Sequence, residues 1–338
     1  MKKANSCWQL RSWMVLTLVL LLMSSPARAT DEEVDGNCQF DTGWQITPQT
    51  GNSPNGKFSF GLMSVQFVFV AGFLNEVFAN YYQDNILELN KQFGIQGDQV
   101  QIIRPSSRAS VESNATWLRQ EILAIHRRNP APIILVAHSK GAAESLTMLM
   151  AYPDLLNDSV ILDFVSVQGA IFGSPIADIY STLPESSPSP ELSLLNWLWE
   201  SIGYRLRVFD NWLTDQVFAE GVNSLETQAA RNRFNSLLVK LDPIYREELS
   251  ARVHYVISHV KPQDASLLTR LPGLYLRVFG PNDGVLLLEN QYSRDLGQVL
   301  AHYYADHTDL VLGRSASRLS KKCITNFTTD LIHRMSQH

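Results

Sequence analysis

The sequence of 338 residues is poor in cysteine and has no strong excess of either charge. Its 3 cysteines are Cys7, Cys38 and Cys323, too few for a fold stapled by many disulfides. Neither Cys38 nor Cys323 has a nearby His or Cys at the spacing of zinc ligands, and we expect no metal site. A net charge of −5, with acidic and basic residues mixed along the chain, argues against nucleic acid as a partner.

Long apolar runs are also missing after the first 30 residues. The run over residues 13–23 follows three basic residues and precedes Ala27-Arg28-Ala29, an A-x-A cleavage sequence. We predict a signal peptide over residues 1–29, cleaved after Ala29, and hence a secreted or periplasmic protein. The alternative is a membrane anchor, but this apolar run is short for a transmembrane helix. No later segment of the sequence resembles a transmembrane helix.

Two cysteines remain after this cleavage, one near each end of the chain. In an oxidising compartment we predict that Cys38 and Cys323 form a disulfide. The alternative is two separate buried thiols.

Strand-like and helix-like segments alternate along most of the chain. Short apolar runs typical of buried strands are separated by segments of helical periodicity, which predicts an α/β fold with a mostly parallel sheet and helices on both faces. The predicted strands are residues 65–71, 100–103, 133–136, 160–172, 253–257, 274–279 and 300–304, and the predicted helices include 76–93 and 111–127.

The pattern changes after Asp178. A loop rich in Pro and Ser precedes roughly sixty residues of helical character without a strand. We predict a helical cap, about residues 181–250, inserted into one domain of residues 30–338. Its tryptophans, Trp197, Trp199 and Trp212, either pack between helices or contact an apolar substrate.

The most informative segment is PIILVAHSKG, residues 132–141. An apolar strand runs into a tight turn that opens a helix, and the small residues Ala137 and Gly141 fit where strand and helix pass closely. Such a turn presents Ser139 as a nucleophile, although a serine here could also simply cap the helix. A serine nucleophile needs a base, and the base needs a carboxylate to hold its tautomer.

Candidates for both partners lie downstream, in loops after predicted strands. Asp283 lies in GPNDG, which could equally be a plain turn. His307 follows the last predicted strand, whereas its nearest rival, His302, lies inside that strand and is expected to pack there. The order Ser139, Asp283, His307 is the one expected of a triad after such a turn.

Two backbone N–H groups are needed to stabilise an oxyanion. The Lys140 N–H follows the serine, and the Phe73 N–H is the first choice in the loop after the first strand, with the Leu74 N–H second. Leu74 is also predicted to contact substrate. We expect the Lys140 ammonium to be solvated and give it no catalytic task.

These segments together resemble bacterial triacylglycerol lipases and esterases of the α/β-hydrolase superfamily. Residues 173–178, GSPIAD, are also similar to the G-S-x-x-A-D run of secreted lipases. The likeness extends from about Val65 to Leu312 without the cap. The other matching segments are VFVAGFL around Gly72, LVAHSKG around Ser139, GPNDGV around Asp283 and ADHTDLV around His307.

The chain also departs from this pattern. Ala71-Gly72 replaces the family's His-Gly in the oxyanion loop, and Gly169-Ala170-Ile171 replaces a T-P-H sequence. The resemblance implies an α/β-hydrolase fold and hydrolysis of lipid or other carboxylic esters through an acyl-enzyme, without a cofactor. The alternatives are acyl transfer, thioester cleavage or peptide cleavage on the same scaffold, and a non-catalytic binding protein.

Overall fold

The computed structural model describes residues 65–181, 219–312 and 320–335. Six strands form one parallel sheet in the order β2-β1-β3-β4-β5-β6. The strands are β1 (Gln66–Val70), β2 (Val100–Ile103), β3 (Ile133–His138), β4 (Ile161–Val167), β5 (Val253–His259) and β6 (Gln298–Tyr304). The α/β class with a parallel sheet, predicted from the alternating pattern, is confirmed.

Helices connect the strands and cover the sheet. The α-helices are α1 (Gln83–Phe93), α2 (Val111–Arg128), α3 (Lys140–Ala151), α4 (Asp154–Asn157), α5 (Pro175–Ser181), α6 (Ala219–Asn223), α7 (Thr227–Leu238), α8 (Pro243–Arg252), α9 (Leu267–Leu276) and α10 (Ser320–Met335). Two 3-10 helices span Gly97–Gln99 and Leu288–Asn290. Among the described helices none is long and apolar enough to cross a membrane.

Both faces of the central strands are buried, and alternate residues enter different cores. One core combines Val68, Val70 and Leu135 with Leu118 of α2, Leu146 of α3 and Leu249 of α8. The other combines Phe67, Phe69 and Val136 with Leu89 of α1 and Phe327 of α10. Because successive side chains of a strand point to opposite faces, a continuous apolar run is what a sheet covered on both sides requires.

The sheet order places a switch point between β1 and β3. The chain leaves β1 toward β2 on one side, whereas β3 leads on to β4 on the other side. The connections therefore diverge at the carboxyl ends of β1 and β3, where parallel sheets form a ligand crevice. The segment after β1 carries Gly72, and the segment after β3 carries Ser139.

The predicted strand over residues 274–279 is wrong. This segment is the end of helix α9 followed by a turn, and β6 pairs directly with β5. Leu276 is buried, but Val278 and Phe279 are exposed, so the segment does not pack as a sheet strand. A short apolar run does not by itself distinguish strand from helix.

Two other predicted boundaries differ from the structure by five residues or more. Residues 73–82 form mainly turns, so α1 begins at Gln83 and not at residue 76. The strand predicted over residues 160–172 ends at Val167. In both cases the chain turns at the carboxyl edge of the sheet, where backbone conformations are set by contacts distant in sequence.

Part of the predicted cap lies outside the described residues, including Trp197, Trp199 and Trp212. So do residues 1–29 of the predicted signal peptide and Cys38. Cys323 is buried in α10, and its pairing with Cys38 stays a prediction. The described part of residues 181–250 is helical, and Phe234 of α7 and Tyr245 of α8 join the core that contains α2 and α3. A separate cap stays a prediction.

Candidate active site

Ser139 occupies a strained turn between β3 and α3. Its φ of 56° and ψ of −126° lie outside the regions that residues with side chains normally adopt. Two glycines make this turn possible. A Cβ on Gly141 would come 2.5 Å from the Ala71 carbonyl oxygen, and one on Gly72 would come 2.7 Å from the Ser139 Cβ. The strand–turn–helix predicted around Ser139 is therefore present, and close backbone contact explains its small residues.

The structure brings Ser139, His307 and Asp283 together. His307 Nε2 lies 2.9 Å from Ser139 Oγ, and His307 Nδ1 lies 2.8 Å from Asp283 Oδ2. Asp283 is fully buried, whereas Ser139 and His307 keep 8% and 6% of their surface exposed. His307 Nδ1–H donating to the carboxylate leaves Nε2 as the acceptor for the serine hydroxyl proton.

The Asp283 carboxylate is held by several further donors. Its Oδ1 accepts hydrogen bonds from the Val285 and Leu286 N–H groups, at 2.9 and 2.7 Å, and its Oδ2 accepts one from Gln291 Nε2 at 3.2 Å. The His307 N–H also donates to the Asp283 carbonyl oxygen, at 2.8 Å. Imidazole and carboxylate are thus aligned by their main chains as well as by their side chains.

His138 contacts His307 at both its ring and its main chain, and the centroids of the two imidazole rings lie 4.6 Å apart. His138 Nδ1 lies 2.6 Å from Tyr81 Oη, and its Nε2 lies 2.8 Å from the His307 carbonyl oxygen. Burial lowers the pKa of His138 well below its ordinary value, and a charge on His307 would lower it further. A neutral His138 that accepts from Tyr81 Oη and donates to the His307 carbonyl fits these distances. Sequence reasoning gave Tyr81 no role, because nothing in its local pattern marks it.

The residues that carry the predicted oxyanion donors belong to two segments that meet at Ser139. Lys140 is the first residue of α3, where N–H groups have no acceptor within the helix. Phe73 follows Gly72, which touches the turn at Ser139. The Leu74 N–H, the second choice, donates to Ser107 Oγ at 2.7 Å. It is therefore already engaged, and the substrate contact predicted for Leu74 stays a prediction.

The Lys140 side chain was expected in solvent, and this is wrong. Lys140 is 1% exposed, and its Nζ lies 2.6 Å from Glu144 Oε1 and 2.8 Å from the Ala109 carbonyl oxygen. Burial raises the pKa of Glu144, and the nearby Lys140 charge opposes that rise. The residue after the serine points away from the site, into the space between α3 and the loop after β2.

The fold has counterparts among solved structures. A metagenomic carboxyl esterase, MGS0156, has 19% identity over 94% of this chain and 88% of its own, with a TM-score of 0.58. The mature lipase BlEst2 of Bacillus licheniformis has 17% identity over 81% of this chain and 93% of its own, with a TM-score of 0.55. The chain therefore has the α/β-hydrolase fold. No model of a known protein family and no curated protein matches the sequence.

Proposed function

We propose that this protein is a serine hydrolase that cleaves carboxylic esters. The observation that carries the proposal is the hydrogen-bonded series Asp283–His307–Ser139 at the carboxyl edge of the sheet. A serine, a base within hydrogen-bond reach and a buried carboxylate behind the base form the arrangement that acyl transfer needs. The carboxyl esterase and the lipase that share this fold lend further support.

In the proposed reaction Ser139 Oγ attacks the ester carbonyl carbon while His307 Nε2 takes the hydroxyl proton. The Lys140 and Phe73 N–H groups donate to the resulting oxyanion. Collapse of this intermediate breaks the ester bond, and His307 gives the proton to the leaving alcohol. Water then attacks the acyl-enzyme with His307 as base, which releases the carboxylic acid and restores Ser139. Asp283 holds the imidazole throughout.

An apolar acyl chain fits the surroundings of the loop after β1. The partly buried side chains of Phe73 and Leu225 pack against Ala177 of α5 and Val222 of α6. We infer that the acyl chain lies along this small apolar surface. The export signal and the disulfide predicted from the sequence complete the proposal of a secreted or periplasmic enzyme.

A panel of p-nitrophenyl esters, from acetate to palmitate, tests the reaction. We expect turnover, with kcat/KM rising from the shortest to the medium or long chains because apolar contacts favour them. Cleavage of an amide substrate without turnover of any ester would defeat the proposal. Failure of the folded protein to react with a fluorophosphonate probe would favour a non-catalytic binding protein.

Ser139→Ala tests the nucleophile directly. We expect kcat to fall by about 10⁴ to 10⁶ and probe labelling to disappear, since the reaction loses its covalent step. Ser145→Ala is the matched control, because Ser145 is a buried serine of α3 whose Oγ has no hydrogen-bond partner among the described residues. It should retain activity and labelling. Residual labelling of the Ser139 variant would point to a different nucleophile.

A further inference from the structure

The loop of residues 104–110, between β2 and α2, contacts both sides of the candidate oxyanion site. Toward β1 it touches residues 72–76, which we name the oxyanion loop. Toward α3 its carbonyl oxygens at Ser106 and Ala109 accept from Lys140 Nζ, at 3.3 and 2.8 Å. The residues that carry the two proposed donor N–H groups are therefore connected through one loop.

Asn75 joins the oxyanion loop to residues 104–110. Its side chain is buried, and Nδ2 donates to the Gly72 carbonyl oxygen at 2.9 Å and to the Pro105 carbonyl oxygen at 2.7 Å. Arg104 Nη1 in turn donates to the Asn75 carbonyl oxygen at 2.9 Å. Both the side chain and the main chain of Asn75 are thus held by the loop after β2.

The contact with Gly72 has a consequence for Phe73. The Gly72 carbonyl and the Phe73 N–H belong to one planar peptide unit, which is trans. In such a unit the N–H points opposite to the carbonyl. When Asn75 Nδ2 holds the Gly72 carbonyl oxygen, it therefore also sets the direction of the Phe73 N–H.

The next peptide unit is fixed as well. The Leu74 N–H donates to Ser107 Oγ at 2.7 Å, and Ser107 Oγ donates to Glu76 Oε2 at 2.6 Å. The Ser107 N–H completes the set by donating to Glu76 Oε1 at 2.8 Å. Leu74 has a φ of 62°, an uncommon backbone conformation that needs such support.

We propose that Asn75 is a positioning residue of the oxyanion site, which aims the Phe73 N–H by holding the Gly72 carbonyl, and that Ser107 holds the following peptide unit. This inference rests on the proposed ester hydrolysis. Neither side chain touches substrate. Asn75 sets the direction of the Phe73 N–H, and Ser107 fixes the peptide unit that follows it. The donor is then in place before the oxyanion forms, which is the condition for electrostatic stabilisation in the transition state.

Asn75→Ala tests the inference against a matched control, Gln66→Ala. Gln66 is equally buried, and its Nε2 also bridges two backbone carbonyls, those of Asn129 and Ala131, but at the opposite end of β1. We expect both variants to lose melting temperature. Only Asn75→Ala should lose kcat, by about 10- to 100-fold, which is less than the loss of a whole oxyanion donor. KM should change little.

Inhibitors separate positioning from general damage. A trifluoromethyl ketone forms a tetrahedral adduct with the serine and uses the oxyanion donors, whereas the corresponding alcohol does not. In Asn75→Ala the inhibition constant of the ketone should rise by the factor that kcat/KM falls, and that of the alcohol should stay near the wild-type value. Equal rises for both compounds, or a kcat within twofold of wild type, would overturn the inference.

Ser107 provides a second variant should Asn75→Ala fold poorly. Ser107→Ala should lower kcat in the same selective way but by less, and Ser107→Thr, which keeps the hydroxyl, should recover most of the loss. A kcat in Ser107→Ala equal to that of wild type would also count against the inference. Failure of the wild-type protein to hydrolyse any ester would instead contradict the proposed function.

Discussion

Ser139 and Lys140 are neighbours in the chain, yet their side chains enter two different buried polar clusters. Ser139 Oγ lies 2.9 Å from His307 Nε2, and His307 Nδ1 lies 2.8 Å from Asp283 Oδ2. In the other cluster Glu144 Oε1 accepts hydrogen bonds from Lys140 Nζ and from Asn114 Nδ2, each at 2.6 Å. Ser139 and His307 keep a small exposed surface, whereas the Lys140–Glu144 pair is closed off from solvent.

The two clusters are both buried and hydrogen-bonded, but they differ in what their protons can do. The Lys140 ammonium has three N–H donors and three acceptors: Glu144 Oε1 and the carbonyls of Ser106 and Ala109. Each of the three N–H groups thus has an acceptor, and the two carbonyls tie the loop of residues 104–110 to α3. In the first cluster the Ser139 hydroxyl lies 2.9 Å from His307 Nε2, which can accept its proton, and both residues keep a small exposed surface.

Asp283→Asn gives the largest expected effect in a test of this comparison. The asparagine side-chain oxygen should keep the hydrogen bonds from the Val285 and Leu286 N–H groups. Its NH₂ group then faces His307 Nδ1 and favours the tautomer with the proton on Nε2, which cannot accept the serine proton. We expect kcat to fall by about 10⁴ with little change in melting temperature. Steady-state kinetics measures the loss. Asp264→Asn, an exposed change in the same β5–β6 connection, is the control. A loss below tenfold would mean that another group orients His307.

Lys140→Met should act mainly on stability. It leaves the buried Glu144 carboxylate without its cation, and breaking such a pair costs about 3–5 kcal/mol in the free energy of unfolding. Denaturant unfolding measures this value. The double variant Lys140→Met, Glu144→Leu should recover most of it, because a well-packed apolar pair avoids the cost of burying charge. A single variant as stable as the wild type would show that the pair does not anchor α3.

The pH dependence of stability reports on His138, the residue before the serine. Its pKa is lowered in the folded state from 6.5, so above that pH the ring is neutral in both states. Below it only the unfolded chain takes up the proton. This one group should therefore cost about 1.4 kcal/mol of stability per pH unit as the pH falls. Unfolding of wild type and His138→Gln between pH 7 and 5 measures the difference in slope, and parallel curves would contradict a buried neutral ring.

Asp154→Asn should have the smallest effect. The Arg119–Asp154 contact is 2.6 Å, the same as that of Lys140–Glu144, but both of its side chains are partly exposed. Solvent screens such a pair, so we expect little or no change in melting temperature. Equal losses in Asp154→Asn and Lys140→Met would show that contact distance, and not burial, decides the strength of these ion pairs.

Much of the site could be predicted because its members lie in locally recognisable segments. The apolar strand before Ser139, the small residues beside it, and the loop positions of Asp283 and His307 all leave marks in short stretches of sequence. The strand expected before Asp283 is a helix, yet Asp283 still lies in the connection between β5 and β6. The prediction that Asp283 lies in a loop was correct despite the wrong strand, because it depends on turn-forming residues and not on the element before them.

Contacts between distant segments could not be predicted in the same way. Asn75 and Ser107 belong to two different loops, which contact each other because β1 and β2 are neighbours in the sheet. The burial of Lys140 likewise depends on the loop after β2 and on Asn114 of α2. A lysine in a turn next to a nucleophile is usually exposed, and nothing near it in the sequence indicates the acceptors that allow its burial.

By itself, the sequence determined the strained turn at Ser139 and the alternation of strands and helices, since both depend on the sizes and the hydrophobic pattern of neighbouring residues. Only the tertiary structure decided which side chains bind the Lys140 ammonium, which amide holds the Gly72 carbonyl, and how far His307 lies from Ser139. Hydrogen bonds and burial depend on atoms that approach in space, and here the partners are separated by as many as 168 residues.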